Sequence, residues 1–411
     1  MRDVAVTRRR VVVTGLGIVS PFGDGTAAFW DAIVAGEAGI RHVEVEGVGT
    51  IPAGVVDEAD AARARFGARE ARRMSRAGRI AAQAAAEALE DAGLGAASHD
   101  GMGTSVGCVH GGPDAWYAGH EALRTRGADR VGPLTVPLGL TNSAAAAAAR
   151  ALGLTGPSQS HATACAAGSD AIGAALGMIR DGRARVMVAG GAEAAVSPVV
   201  VAGYATLGAL AGAGRPAHEA SRPFDARRDG FVIAEGAGML VLEDLEHAEA
   251  RGAPVYAELA GFGSSCDAGH LTDPDPDGVG ARRAIDAALA DAGVAAADVG
   301  YVNAHATSTP AGDATEARAL AVAGITAPVS STKGAHGHTL GAAGGVEAVA
   351  TVLAMSRGVL PPTVNLVDPD PEAHADHVTE ARALPVSVAL SNSFGFGGHN
   401  AALVFLAVPG T

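Results

Sequence analysis

Apolar positions along the chain alternate between two periods, one suited to buried strands and one to helices. Val11-Val12-Val13 is a continuous apolar run that reads as a buried strand, and Thr14-Gly15-Leu16-Gly17 after it reads as a glycine turn opening an α/β unit. The pattern restarts near Val255: Val255-Tyr256-Ala257-Glu258-Leu259 leads into the Gly/Ser-rich turn Gly261-Phe262-Gly263-Ser264-Ser265. This echo predicts two similar halves, 1–254 and 255–411. In the first, Ile172, Leu176 and Ile179 recur at i, i+4 and i+7, Gly182 stands where a helix ends, and 186–189 reads as a strand. In the second, Ile285 and Leu289 mark a helix ending near Gly293, followed by a strand over 299–304. Asp313 and Glu316 have the spacing of a capping box ahead of Ala317 and Leu320. A further helix runs from near Gly341 through Val346, Val349 and Leu353 to Gly358. The chain then closes in a hairpin whose arms, 386–390 and 401–406, flank Phe394-Gly395-Phe396-Gly397-Gly398.

Strands alternating with helices in both halves define an α/β protein. Its 411 residues are 48% hydrophobic and 4% aromatic, enough for a large core of Ala, Val, Leu and Ile. A net charge of −14 argues against nucleic acid as a partner, since phosphate neutralisation needs a basic surface. No apolar run reaches the length of a membrane span, and the basic Met1 to Arg10 leads into a strand pattern without a cleavage signal, so the expected location is cytoplasmic.

Three cysteines, Cys108, Cys165 and Cys266, are too scattered for a disulfide framework or structural zinc. Cys165 precedes an Ala/Gly-rich helix, whose N-terminal partial charge lowers a thiol pKa, which makes it the best nucleophile. Cys108 and Cys266 lie in glycine-rich turns and read as small buried hydrophobes. His305 falls just past a predicted strand and His338 just before a predicted helix, the places where side chains converge on a ligand in α/β folds. His336-Gly337-His338 lacks acidic or cysteine ligands at matching spacing, so no metal is expected. Lys333 and Glu347 have a spacing that an ordinary surface ion pair explains. Gly15-Leu16-Gly17 misses the third glycine of a dinucleotide fingerprint, because Ser20 holds that place. The turn at 394–398 opens into a strand, which suits close approach of backbone N–H groups to a substrate better than it suits a phosphate.

Four segments, Thr163-Ala164-Cys165-Ala166-Ala167-Gly168, Asn303-Ala304-His305-Ala306-Thr307-Ser308-Thr309-Pro310, Ser331-Thr332-Lys333 with Gly337-His338, and Ser391-Asn392-Ser393-Phe394-Gly395-Phe396-Gly397-Gly398, together resemble the β-ketoacyl-acyl carrier protein synthases I and II. The resemblance spans about Arg10 to Phe405, in the family's order. It implies a thiolase-like fold of two duplicated α/β halves in αβαβα layers, and a dimer. It further implies that Cys165 accepts an acyl group from acyl carrier protein and that His305 and His338 stabilise the enolate formed when malonyl thioester loses carbon dioxide. The backbone N–H groups of Cys165 and Phe396 would hold the acyl oxyanion. Lys333 and Glu347 would orient His338, Asp313 and Glu316 would give support, and Thr307, Thr309, Phe394 and Phe396 would contact substrate, with the phenylalanines at the pocket mouth. No cofactor is implied beyond the phosphopantetheine arm that carries the substrates.

Three positions depart from the family's usual pattern: Ala306 for a glycine, His336 for a small or hydroxyl residue, and His399 for a threonine. They leave the acyl substrate open between fatty-acid and polyketide or polyene pathways. Type III ketosynthases are set aside because His338 stands where they carry Asn, and thiolases because no cysteine follows Cys266. A non-catalytic chain-length factor would lack Cys165, although an active half paired with such a factor stays open beside a homodimer. The densest basic stretch runs through Arg63, Arg65, Arg69, Arg72, Arg73, Arg76 and Arg79. On one helix Arg69, Arg72, Arg73 and Arg76 share a face. Arg69, Arg72 and Arg73 match family positions that dock carrier protein, and Arg130 adds to them beside Asp129.

Overall fold

The computed structural model describes residues 8–57, 61–95, 97–212 and 214–408. The stretch Met1 to Thr7, and with it most of the leader reading, lies outside the described residues.

Ten strands and six helices build a repeat. In the N-terminal half these are β1 (Val11–Ser20), α1 (Arg76–Asp91), β2 (Gly103–Gly107), α2 (Ser143–Leu152), β3 (Ser158–His161), α3 (Ala167–Arg180), β4 (Val186–Glu193) and β5 (Gly236–Asp244). The C-terminal half repeats the order with β6 (Ala257–Cys266), α4 (Val279–Ala292), β7 (Tyr301–Asn303), α5 (Pro310–Val322), β8 (Pro328–Ser330), α6 (Ala343–Arg357), β9 (Val388–Gly395) and β10 (His399–Leu406). Sheet order is β1-β5-β4-β2-β3 in one half and β6-β10-β9-β7-β8 in the other. The pairing senses match as well: β1 with β5 and β5 with β4 are antiparallel, β4 with β2 and β2 with β3 parallel, and each counterpart agrees. The halves meet where β1 runs antiparallel to β6 at Val12 with Glu258 and Val13 with Ala257.

α3 and α6 lie between the two sets of strands, touching each other and both sheets, while α1 and α2 cover one outer face and α4 and α5 the other. This is the five-layer thiolase-like α/β arrangement. α6 is buried along nearly its whole length, which explains why its sequence is apolar on most sides, with Glu347 and Thr351 the buried polar exceptions.

Several local readings need correction. Thr14-Gly15-Leu16-Gly17 is not a turn: β1 continues through it to Ser20, with a bulge between Val13 and Gly15. A Cβ on Gly15 would stand 2.1 Å from the Ala88 carbonyl oxygen of α1, so the glycines admit a helix backbone, and Gly261 repeats this at 2.2 Å from Ala288 of α4. The expected Gly/Ser turn at 261–265 is likewise the interior of β6. Asp313 and Glu316 form no capping box, because α5 already begins at Pro310 and both side chains are buried inside the helix. The arginine stretch is not one helix: Gly67 (φ 79) separates Ala61–Phe66 from Ala68–Ala71, and Ser75 caps a new helix, α1. Helix ends at Gly182, Gly293 and Gly358 fall where expected, each in the left-handed conformation.

Candidate active site

Cys165 sits in a short 3-10 turn, Ala164–Ala166, between the edge strand β3 and the start of α3. Ala164 before it adopts φ 49, a left-handed conformation that alanine takes only when surroundings impose it. His305 follows β7, and His338 is pinned by backbone bonds to Val232 (2.7 Å) and Ala234 (2.9 Å) ahead of α6. His338 Nε2 lies 3.0 Å from Cys165 Sγ. The cysteine sulfur and a ring nitrogen of each histidine all fall within 4.8 Å of one another, and the two rings stand edge to face at 5.3 Å.

Burial pushes the Cys165 thiol up to about 12, opposed by the charge of Lys333 and by the N–H of Phe396 donating toward the sulfur. This rise runs opposite to the lowering expected from the helix N-terminus, with loss of hydration its largest cause, and α3 itself begins only at Ala167. Burial, then the Lys333 charge, holds both His305 and His338 well below the usual imidazole range, so both rings are neutral. Lys333 and Glu347 are both fully buried and bonded to each other, which removes the surface ion pair reading. Burial also pushes Glu347 up to about 7 against the pull of Lys333.

The two acids of α5 hold the loops around the site. Glu316 accepts the N–H of His305 (2.9 Å) and of Ala306 (2.7 Å) and the side-chain amide of Asn392 (3.0 Å). Asp313 accepts from Phe224 (2.8 Å) and Ser308 (3.1 Å), and burial pushes its carboxyl up to about 7. Between β9 and β10 the glycine turn folds back on the nucleophile. A Cβ on Gly395 would meet the Cys165 nitrogen at 2.9 Å and the Thr163 carbonyl at 3.0 Å, so only glycine lets the two backbones approach.

A cavity of about 350 Å³ opens onto the cysteine and both histidines, and Thr307, Thr309, Phe394 and Phe396 line it. The Phe394 ring packs 6.0 Å from His305. His110, Tyr204 and Glu193, which sequence reading did not single out, stand against the same cavity or just behind it. The only cue in the sequence is an isolated histidine shortly after β2. Arg69, Arg72, Arg73 and Arg130 are exposed and none lines the cavity. Arg76 leaves that group: it points inward to Glu235 at 2.6 Å. Cys108 is buried as expected, whereas Cys266 is exposed at the end of β6. Of the departing positions, His336 is fully buried against Phe29 with Nε2 3.0 Å from Thr332 Oγ1, and Ala306 is buried too. His399 is half-buried where β10 begins.

This geometry belongs to condensing enzymes, and comparison with known proteins agrees. The family description "Beta-ketoacyl synthase, N-terminal domain" matches residues 8–248 and "Beta-ketoacyl synthase, C-terminal domain" matches residues 256–367. The chain belongs to the β-ketoacyl synthase family. It is 44% identical over 408 residues to 3-oxoacyl-[acyl-carrier-protein] synthase 2 of Synechocystis sp., covering 97% of this chain and 98% of that one. Among solved structures it resembles a type II polyketide ketosynthase seen with its acyl-carrier protein and bound to a hexaketide (TM-score 0.85, 35% identity, 98% of this chain and all of that one). It also resembles the ishigamide ketosynthase/chain length factor (TM-score 0.88, 34% identity, the same coverage). No helix among the described residues is long and apolar enough to cross a membrane.

Proposed function

We propose that the chain is a β-ketoacyl-acyl carrier protein synthase whose nucleophile is Cys165 and whose enolate-stabilising groups are His305 and His338. The observation that carries this reading is the convergence of one sulfur and two neutral imidazoles within 4.8 Å at a cavity. In the first step Cys165 Sγ attacks an acyl thioester, the carbon–sulfur bond to pantetheine breaks, and the thiol proton ends on the departing pantetheine sulfur, while the Nε2–H of His338, 3.0 Å away, donates to Cys165 Sγ as negative charge develops there. In the second, the carbon–carboxylate bond of malonyl thioester breaks, carbon dioxide departs, and its electron pair becomes an enolate. Neutral histidines bearing a proton on Nε2 donate to that oxygen without adding a competing positive charge. The enolate carbon attacks the acyl-Cys165 carbonyl, whose oxyanion faces the N–H groups of Cys165 and Phe396. The carbon–sulfur bond breaks and the sulfur takes up a proton again.

Lys333 and Glu347 set the field around His338, Glu316 and Asp313 position the His305 loop, and Thr307 and Thr309 line the channel for the pantetheine arm. Phe394 and Phe396 stand at the mouth of the acyl pocket, the latter on a turn whose glycines let it swing. This reading needs no metal and no cofactor of the enzyme's own. It divides the chain into 1–254, carrying the nucleophile, and 255–411, carrying both histidines, in line with the repeated strand order.

The partner is acyl carrier protein, docked through exposed Arg69, Arg72, Arg73 and Arg130. A second subunit, identical or a chain-length factor, adds along β3, an end strand of the sheet, and Trp116, Leu134 and Val136 are exposed apolar side chains for the same contact. A cytoplasmic location fits such partners. Incubation with malonyl- and acyl-carrier proteins, read by intact-protein mass spectrometry, tests the reaction: a chain extended by two carbons with loss of carbon dioxide is expected, and no extension with any acyl group would refute it. Reversing Arg72 and Arg73 to Glu should raise KM for carrier-bound substrate and spare acylation by a small thioester. Equal losses with both would place these arginines in the fold. Salt should weaken docking of the wild type similarly, since exposed charges are screened within about 8 Å.

A further inference from the structure

The cavity that receives the acyl group is not apolar throughout. His110, shortly after β2, and Tyr204, in the helix Pro198–Thr206, both line it. Tyr204 Oη is 3.4 Å from His110 Nε2. On the other side of the imidazole, Nδ1 lies 3.5 Å from Oε2 of Glu193, an acid with no solvent exposure. The same carboxylate accepts the N–H of Val109 at 2.8 Å and of His110 at 3.3 Å. The C-terminal half closes over it: a Cβ on Gly341 would stand 2.7 Å from Glu193 Oε2, so the acid is walled in by backbone.

Burial, which disfavours the imidazolium, is outweighed by the Glu193 carboxylate 3.5 Å from Nδ1, and the His110 pKa rises. An imidazolium has two donors. In the forms that carry a proton on Nε2, which the nearby Glu193 carboxylate favours, Nε2–H points at the tyrosine oxygen and the Tyr204 O–H is released to donate into the cavity. Its position is set by rings on both sides: Phe231 stands edge-on at 5.3 Å and Phe396 tilts against it at 6.4 Å, while Phe231 is itself edge-on to His338 at 5.4 Å. A half-buried hydroxyl is thus held on the wall beside the reacting groups. A saturated hydrocarbon chain gives it no partner, whereas a chain bearing oxygen does, and a site built to hydrogen-bond a substrate group rejects the analogue that lacks it.

We infer that Glu193, His110 and Tyr204 form a relay that selects acyl chains carrying a carbonyl or hydroxyl oxygen over saturated chains of the same length. This rests on the reading of Cys165 as the acyl acceptor, and makes Tyr204 a specificity-determining residue with His110 and Glu193 positioning it.

The test uses the full-length enzyme and pantetheine thioesters of hexanoate and of hexanoates bearing a hydroxyl or oxo group at carbon three, four or five. Acylation of Cys165 is timed by intact-protein mass spectrometry. At least one oxygenated thioester should react about ten-fold faster than hexanoyl, the scale of one added hydrogen bond. In Tyr204→Phe, which removes a single oxygen atom, that ratio should fall toward one, with His110→Gln in between. Because the readout is a ratio within each variant, a loss of folded protein does not mimic it. A ratio near one in the wild type, or one left unchanged by Tyr204→Phe, overturns the inference. No acylation by any thioester, in enzyme with an intact thermal transition, overturns the ketosynthase reading and the relay with it.

Discussion

In the N-terminal half Ala164 takes φ 49 and hands the chain to Cys165 just before α3; in the C-terminal half Leu340 takes φ 51 and hands it to Gly341 just before α6. The backbone is the same and the chemistry is not. One copy of the turn presents a sulfur to the cavity, while the other has shed its side chain to lie against Glu193 and Val109. The loop after the second strand diverges too: it bears Cys108 and His110 in one half and His305 in the other. The edges of the sheet also differ, since Asp376–His377 pairs beyond β8 whereas β3 ends its side unpaired among the described residues. Duplication thus supplied two equivalent frames, and the active site arises where their inner helices bring unlike ends together.

The largest effect that tests this division is loss of the sulfur. Cys165→Ala should bring acylation down to background by mass spectrometry, and adding Gly341→Cys should not restore it, because a Cβ there meets Glu193 at 2.7 Å and Val109 at 2.9 Å. Acylation persisting in Cys165→Ala would move the nucleophile elsewhere. Next, His305→Ala and His338→Ala should each lower decarboxylation of malonyl-carrier protein on the order of 100-fold, the cost of one donor to a developing oxyanion. Cys165→Gln should keep that step. Histidine variants that decarboxylate at the wild-type rate would make the C-terminal contribution structural only.

Smaller effects sharpen the contrast in packing. On α3, a Cβ at Gly168 would lie 2.7 Å from the Gly345 nitrogen of α6, but one at Gly177 meets nothing within 4 Å. Gly168→Ala should therefore cost about 3 kcal/mol in a denaturant titration, whereas Gly177→Ala should gain about 0.5–1 kcal/mol. Equal effects at both would mean the helices part readily. The last effect depends on pH and concerns His336, fully buried in the C-terminal half. Burial and the Lys333 charge hold it near 3, against 6.5 for a free imidazole. As pH falls below about 6.5 the unfolded chain takes up a proton that the folded protein refuses, so stability drops by about 1.4 kcal/mol per pH unit down toward 3. Against His336→Asn, the wild type should lose that increment between pH 6.5 and 5, and parallel curves would show that the ring is hydrated.

Much of this was legible from residues alone. The duplication showed in the echo of 11–17 at 255–265, and helix ends showed at glycines, because both signals are local. What failed depended on neighbours distant in sequence. Gly15 and Gly17 look like turn residues, and only α1 lying against β1 makes them strand interior. Asp313 and Glu316 fit a capping spacing, but their partners Phe224 and Asn392 lie far along the chain. A surface pair and a buried pair have the same spelling, so Lys333 and Glu347 gave no sign of their burial. His110 and Tyr204 are separated by nearly a hundred residues, and neither carries a motif.

The crossing of α3 and α6 sets how the molecule can move. Gly168 faces Gly344 and Gly345 with main chain against main chain, and Gly345 in turn lies on Gly191 and Gly238 of the sheet. Domains that shear do so by small sliding of packed helices past one another. At this crossing main chain meets main chain, and the rest of the boundary is filled by interlocked apolar side chains such as Ile172, Leu176, Val346 and Val349, which leaves little room for such sliding around Cys165. Any movement that admits cargo is then expected at the Gly395–Gly398 turn, which carries Phe396 on the cavity wall, and not in the scaffold.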